Sequence, residues 1–138
     1  MDTKILVLIA TVLWGVWAFC ARKAVSYIPP LSSSIVACAT SLITVPGYMI
    51  LARLGNIPVS YNVEGVSWAL AGAITSSVGS VALLYALKNG GELNVVALTA
   101  AYPAITFLLG IAFLGDKMTV PGIVGLVLVS AGAVLLSR

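Results

Sequence analysis

LNVVALTAAYPAITFLLGIAFL, residues 93–114, is the stretch whose reading decides the fold. It extends for about six helical turns without a formal charge, and at a rise of 1.5 Å per residue it matches a hydrocarbon core of about 30 Å. Lys88 and Glu92 precede it, and Asp116 and Lys117 follow, so charge returns where lipid headgroups begin. Pro103 sits near its middle. In water proline would make a poor helix centre, but inside a bilayer neighbouring groups can satisfy the carbonyl it frees. The stretch reads as a kinked transmembrane helix.

The rest of the chain repeats this kind of segment. Of its 138 residues, 61% are hydrophobic and 8% charged, and the mean hydropathy is +1.15. That balance leaves too little polar surface for a soluble domain and places the chain among integral membrane proteins. Apolar runs predict an all-α domain over residues 1–138, with helices at about 5–21, 31–54, 65–87, 93–114 and 120–136. The start, Lys4 and ILVLIATVLW, is too long for a signal-peptide core. ARKA at 21–24 also puts bulky charges where a cleavage motif would need small residues, so this segment is expected to stay as the first span.

Punctuation between the spans is equally readable. Tyr27–Pro30 predicts a short, stiff connector, after which Ser32, Ser33 and Ser34 are expected to cap the second helix. Pro46 and Gly47 predict a bend, and Gly55–Glu64 an extramembrane loop. Lys88–Gly91 and Gly115–Lys117 read as turns, with Glu92 and Asn94 capping the fourth helix and Pro121 in the first turn of the fifth. Five spans put the termini on opposite sides. Lys4, Arg53 and Lys117 then face Arg22, Lys23, Lys88 and Arg138, three against four, which is too even to impose one orientation.

Several functions are disfavoured by what the chain contains. It has no histidine and no cluster of acids, so no metal site, cofactor or nucleophile–base pair is expected and the chain does not read as an enzyme. Seven basic residues, spread singly or in one pair, make no basic face for nucleic acid. Cys20 and Cys38 fall within apolar runs at different expected depths and read as buried, unpaired thiols. In the third span Gly72, Ser76 and Ser80 form one small-residue stripe, with Ala69, Ala73 and Ser77 beside it. Gly122, Gly125 and Gly132 mark the fifth. Such stripes indicate close helix contact in lipid.

Three segments together resemble the EamA-type domain of the drug/metabolite transporter superfamily: LWGVWAF at 13–19, YALKNGGELNVVAL at 85–98, and YPAITFLLGIAFLGDKMTVPGIVGLVLVSAGAVLLS at 102–137. Most members of that superfamily look like two such five-helix units fused in inverted orientation around a central path. This chain is similar to the short, unfused members. The resemblance implies half of a ten-helix transporter fold, completed by an antiparallel homodimer in the inner or plasma membrane. Its implied function is secondary transport or facilitation of a small polar metabolite by alternating access. The related small multidrug resistance proteins carry an acid in the middle of helix one. Here that region holds Trp14, and no acid lies within any apolar run, which speaks against proton-coupled export of cations.

The same resemblance directs attention to particular side chains. Trp14, Gly15 and Trp17 lie on a helix expected to face the path, where a tryptophan either stacks on substrate or anchors the helix at the interface. Tyr85 and Tyr102 bring hydroxyls that need partners, from substrate or from another helix. Pro103 makes either a static kink or a hinge between states. Arg22 and Lys23 either draw an anion to the mouth or only orient the chain. Thr75, Ser76, Thr99 and Thr106 read mainly as hydroxyls satisfied by their own helices. Two other readings compete: a non-transporting assembly subunit, and a subunit of a lipid-linked-sugar flippase.

Overall fold

In lipid an apolar chain can satisfy its backbone only as helix or closed barrel, and this chain takes the helical route. The computed structural model describes residues 3–90 and 93–136, and these contain no strand. Four helical segments are long and apolar enough to cross a membrane: Thr3–Tyr27, Pro30–Leu54, Val63–Asn89 and Val95–Leu114. A shorter apolar helix covers Val120–Leu136. By helical element the order is α1 (Thr3–Tyr27), α2 (Pro30–Ala39), α3 (Ser41–Leu54), α4 (Val63–Gly90), α5 (Leu93–Thr99), α6 (Tyr102–Leu109), a π-helical segment (Gly110–Leu114) and α7 (Val120–Leu136). They group into two compact units that divide between Asn89 and Gly90.

Several boundaries differ from the sequence expectation. Helix α1 continues through Arg22 and Lys23 to Tyr27, so the connector shrinks to Ile28 and Pro29. Pro29, not the serines, stands at the N-cap of α2, and no side chain caps that end. Pro30 occupies the first turn, where its missing donor is not needed. Ser34 Oγ instead donates back to the Pro30 carbonyl at 3.2 Å. Lys88, Asn89 and Gly90 are helical rather than a turn. Gly91, Glu92 and the Asn94 side chain, expected to form a turn and caps, lie outside the described residues.

A proline ring crowds the carbonyl four residues earlier. The second span breaks at Thr40, six residues before Pro46 and beyond the turn that its ring crowds, not at the Pro46–Gly47 step where the bend is expected; Pro46 itself stays inside α3. At the break the Thr40 hydroxyl donates to the Ala37 carbonyl at 2.6 Å and Ser41 Oγ to Cys38 at 2.7 Å. The fourth span breaks at Ala100–Ala101, so Pro103 falls in the first turn of a new helix, α6. The π-helical segment ends at Gly115, whose φ of 72° is left-handed. The Gly115 and Asp116 amides both donate to the Gly110 carbonyl, closing the end as a wide turn suited to glycine. Downstream, the Gly122 amide donates to Thr119 Oγ1 at 3.3 Å, which caps α7.

The first unit is packed tightly at one end. Ala21 and Val25 of α1, Pro30 and Ser34 of α2, and Leu84 and Leu87 of α4 are buried there. Lys88 Nζ donates to the Val25 carbonyl at 2.8 Å, tying the C-terminal ends of α1 and α4 together. A cation on a last-turn carbonyl is favourable both as a hydrogen bond and toward the helix dipole. Helices α1 and α4 therefore run parallel, with α2 returning between them in sequence. Leu87→Ala is expected to destabilise this unit by about 2–4 kcal/mol, since a buried leucine lost from a packed seam leaves a cavity. Denaturation in mixed micelles checks this, with the exposed Leu70 as the control position.

Candidate solute cavity

Beyond the packed end, the helices of the first unit separate around an open cavity of about 430 Å³. Helix α1 contributes Trp17, Cys20, Ala21 and Ala24, all on one face. From α2 come residues of the Ser33–Cys38 stretch, and from α4 the face formed by Ala73, Ser76, Ser77, Ser80 and Leu84. Ala21, Ser34 and Leu84 belong both to the buried seam and to the lining, so the seam closes the cavity at that end. The space exists because three helix faces that meet here carry mainly alanine, serine and cysteine. Among the described residues, none in the lining is charged.

The hydroxyls of α4 fall into two groups. Ser67 Oγ donates to the Val63 carbonyl at 2.8 Å, and Thr75 Oγ1 to Ala71 and Gly72 at 2.9 and 3.0 Å. Such back-bonding is how a hydroxyl is usually satisfied in lipid. Ser76, Ser77 and Ser80, the three that line the cavity, make no hydrogen bond among the described residues. Thr99 and Thr106 behave like Thr75, bonding Val96 and Tyr102. Of the four weaker candidates, Ser76 alone is therefore left with an open hydroxyl.

The other expected site residues are dispersed. Trp17 lines the cavity, while Trp14, one turn earlier, does not and is 64% exposed. A side chain at Gly15, Gly72, Gly125 or Gly132 would meet no atom within 4 Å, so those faces are uncovered in the single chain. Ser76 and Ser80 turn toward the cavity, and Gly122 sits against Phe107 of α6. Tyr85 is exposed beside buried Leu84, and Tyr102 is exposed at the start of α6. Lys23 lies over the Tyr27 ring, with 5.2 Å to its centroid. Neither Arg22 nor Lys23 lines the cavity.

Both cysteines are free, as expected, but they are exposed rather than buried, and they line the same cavity. The expectation of different depths fails because α1 turns into α2 within two residues, placing Cys20 and Cys38 at similar distances from the turn. No run of sequence marks the cavity. Its signal, small residues recurring on one face of each of three helices, reads equally as helix packing.

The sequence model of the EamA-like transporter family matches residues 3–138. The uncharacterized protein MJ1333.1 of Methanocaldococcus jannaschii is 36% identical over 138 residues, covering 99% of this chain and 98% of that protein. No solved structure matches.

Proposed function

Starting from a chain that belongs to the EamA-like transporter family, we propose that it moves a small polar metabolite across the inner or plasma membrane. It does so as an antiparallel homodimer working by alternating access. Family membership makes it a multi-pass membrane protein of the transporter kind. The observation that carries the proposal further is the open cavity between α1, α2 and α4, with its unsatisfied serines. A subunit serving only assembly would turn small-residue stripes into dry, closed seams, whereas a path for solute needs room and hydrogen-bonding groups.

A homodimer supplies the second five-helix unit that inverted-repeat transporters require. Uncovered glycine faces at Gly72, Gly125 and Gly132 support it, because bare backbone approaches closely and packs well in lipid. Lysines and arginines divided three against four support insertion both ways. Sequestration of substrate between two inverted copies then follows from their symmetry, as one copy's open side becomes the other's closed side.

The direct test is solute flux in vesicles reconstituted with the purified protein, using a panel of radiolabelled metabolites. An informative pair within it is Tyr102→Phe and Tyr48→Phe. Each removes one hydroxyl and keeps the ring, at a cost of about 1–3 kcal/mol where a buried partner is left unsatisfied. Tyr102 belongs to the helix taken to line the path, so its variant is expected to lose at least fivefold more flux than the Tyr48 variant at equal folded yield. Equal losses would assign Tyr102 to structure. No flux for any solute would favour the assembly-subunit reading.

A further inference from the structure

We propose that the cavity between α1, α2 and α4 binds an uncharged, hydroxyl-rich solute of about monosaccharide size. This deepens the transport reading and takes the cavity as part of the path. Three features carry it: the open hydroxyls of Ser76, Ser77 and Ser80 on α4, the indole of Trp17 on α1, and a lining in which no described residue is charged.

A serine hydroxyl both donates and accepts, so a face of several open serines matches a ligand whose own groups do the same. Carboxylates only accept and ammonium groups only donate. Either ion would also leave water for a lining with no opposite charge, which costs far more than moving a hydroxyl that finds a partner. Lys88, at the packed end, is engaged with the Val25 carbonyl, and Lys23 with the Tyr27 ring. Trp17 adds a flat apolar surface with one N–H, suited to the C–H face of a sugar or polyol. At about 430 Å³ the space falls within the range of small-molecule sites, which are mainly apolar with a few placed polar groups.

Cys20 and Cys38 provide native reporters, since both thiols are free and line the cavity. The full-length protein in lipid nanodiscs is treated with a maleimide, and modification of each cysteine is followed by mass spectrometry. Competitors are glucose, sorbitol, gluconate and glucamine; the last three are six-carbon chains differing at one end as alcohol, carboxylate or amine. Glucose or sorbitol is expected to slow labelling at least threefold at millimolar concentration, and gluconate and glucamine less than 1.5-fold. The Ser76→Ala/Ser80→Ala double variant loses this protection, while Ser67→Ala, on the same helix but outside the lining, keeps it.

Equal or stronger protection by a charged member overturns the proposal, as does absence of protection by both neutral probes, or protection that survives in the double variant. Flux is measured separately in vesicles. Protection by a neutral probe with no flux of any solute would support the binding site and defeat the transport reading. Flux of some solute without protection would do the reverse.

Discussion

Chains locked in one orientation are expected to lose transport, and mixtures of chains locked in opposite ways to regain it. Three lysines added beside Lys4 reverse the bias between the two sets of loops, and three added near the C-terminus strengthen it. Basic residues close to span ends are the ones that orient a chain. The wild-type chain, with its three-against-four division, should show both termini on each face of the membrane. This is assayed by impermeant labelling of single cysteines in a variant lacking Cys20 and Cys38. Each locked variant should transport at less than a tenth of the wild-type rate. Co-expression of the two should restore at least half. A single fixed topology in an actively transporting wild type would exclude the antiparallel pair and require a parallel oligomer.

Filling the cavity should be as damaging as fixing the orientation. Ser77 lies on the α4 face that lines it, and Ser77→Phe places a ring where solute would pass. Flux should fall at least tenfold, equivalent to about 1.4 kcal/mol or more on the limiting step. Because α4 meets no tightly packed neighbour at this level, folding should be preserved and elution from gel filtration unchanged. Ser67→Phe serves as the companion, since Ser67 is exposed, lies outside the lining and bonds only its own helix. Its flux should stay within twofold of wild type. Wild-type transport by the Ser77 variant would place the path elsewhere.

Much of the architecture was legible because lipid leaves few choices. An uncharged run long enough to span the bilayer must be helical. The run at 93–114 accordingly appears as helix interrupted near Pro103, and Val120–Leu136 begins and ends where its apolar pattern does. Helix ends were less legible. The charges of Arg22 and Lys23 mark the membrane boundary, yet α1 continues past them, because backbone hydrogen bonding does not stop where lipid does. The break at Ala100–Ala101 was displaced because proline disturbs the turn that precedes it. The break at Thr40 lies beyond the turn that Pro46 disturbs, and there the Thr40 hydroxyl bonds the Ala37 carbonyl where the chain yields.

Apolar composition, the number of spans, the near balance of charge and the family resemblance were determined by the sequence alone, since each depends on residue type and order along the chain. Which side chains share a space was decided by tertiary structure. Trp14 and Trp17 share one face of α1, with Trp17 nearer the helix end and read from sequence as the anchor, yet it is Trp17 that lies at the level of the cavity and Trp14, one turn earlier, that does not. Thr75 and Ser76 are adjacent, yet one bonds its own helix and the other stays open toward the cavity. Helical periodicity places such neighbours about 100° apart around the axis. Only the packing of α1, α2 and α4 selects the direction that meets a partner and the direction that meets a void.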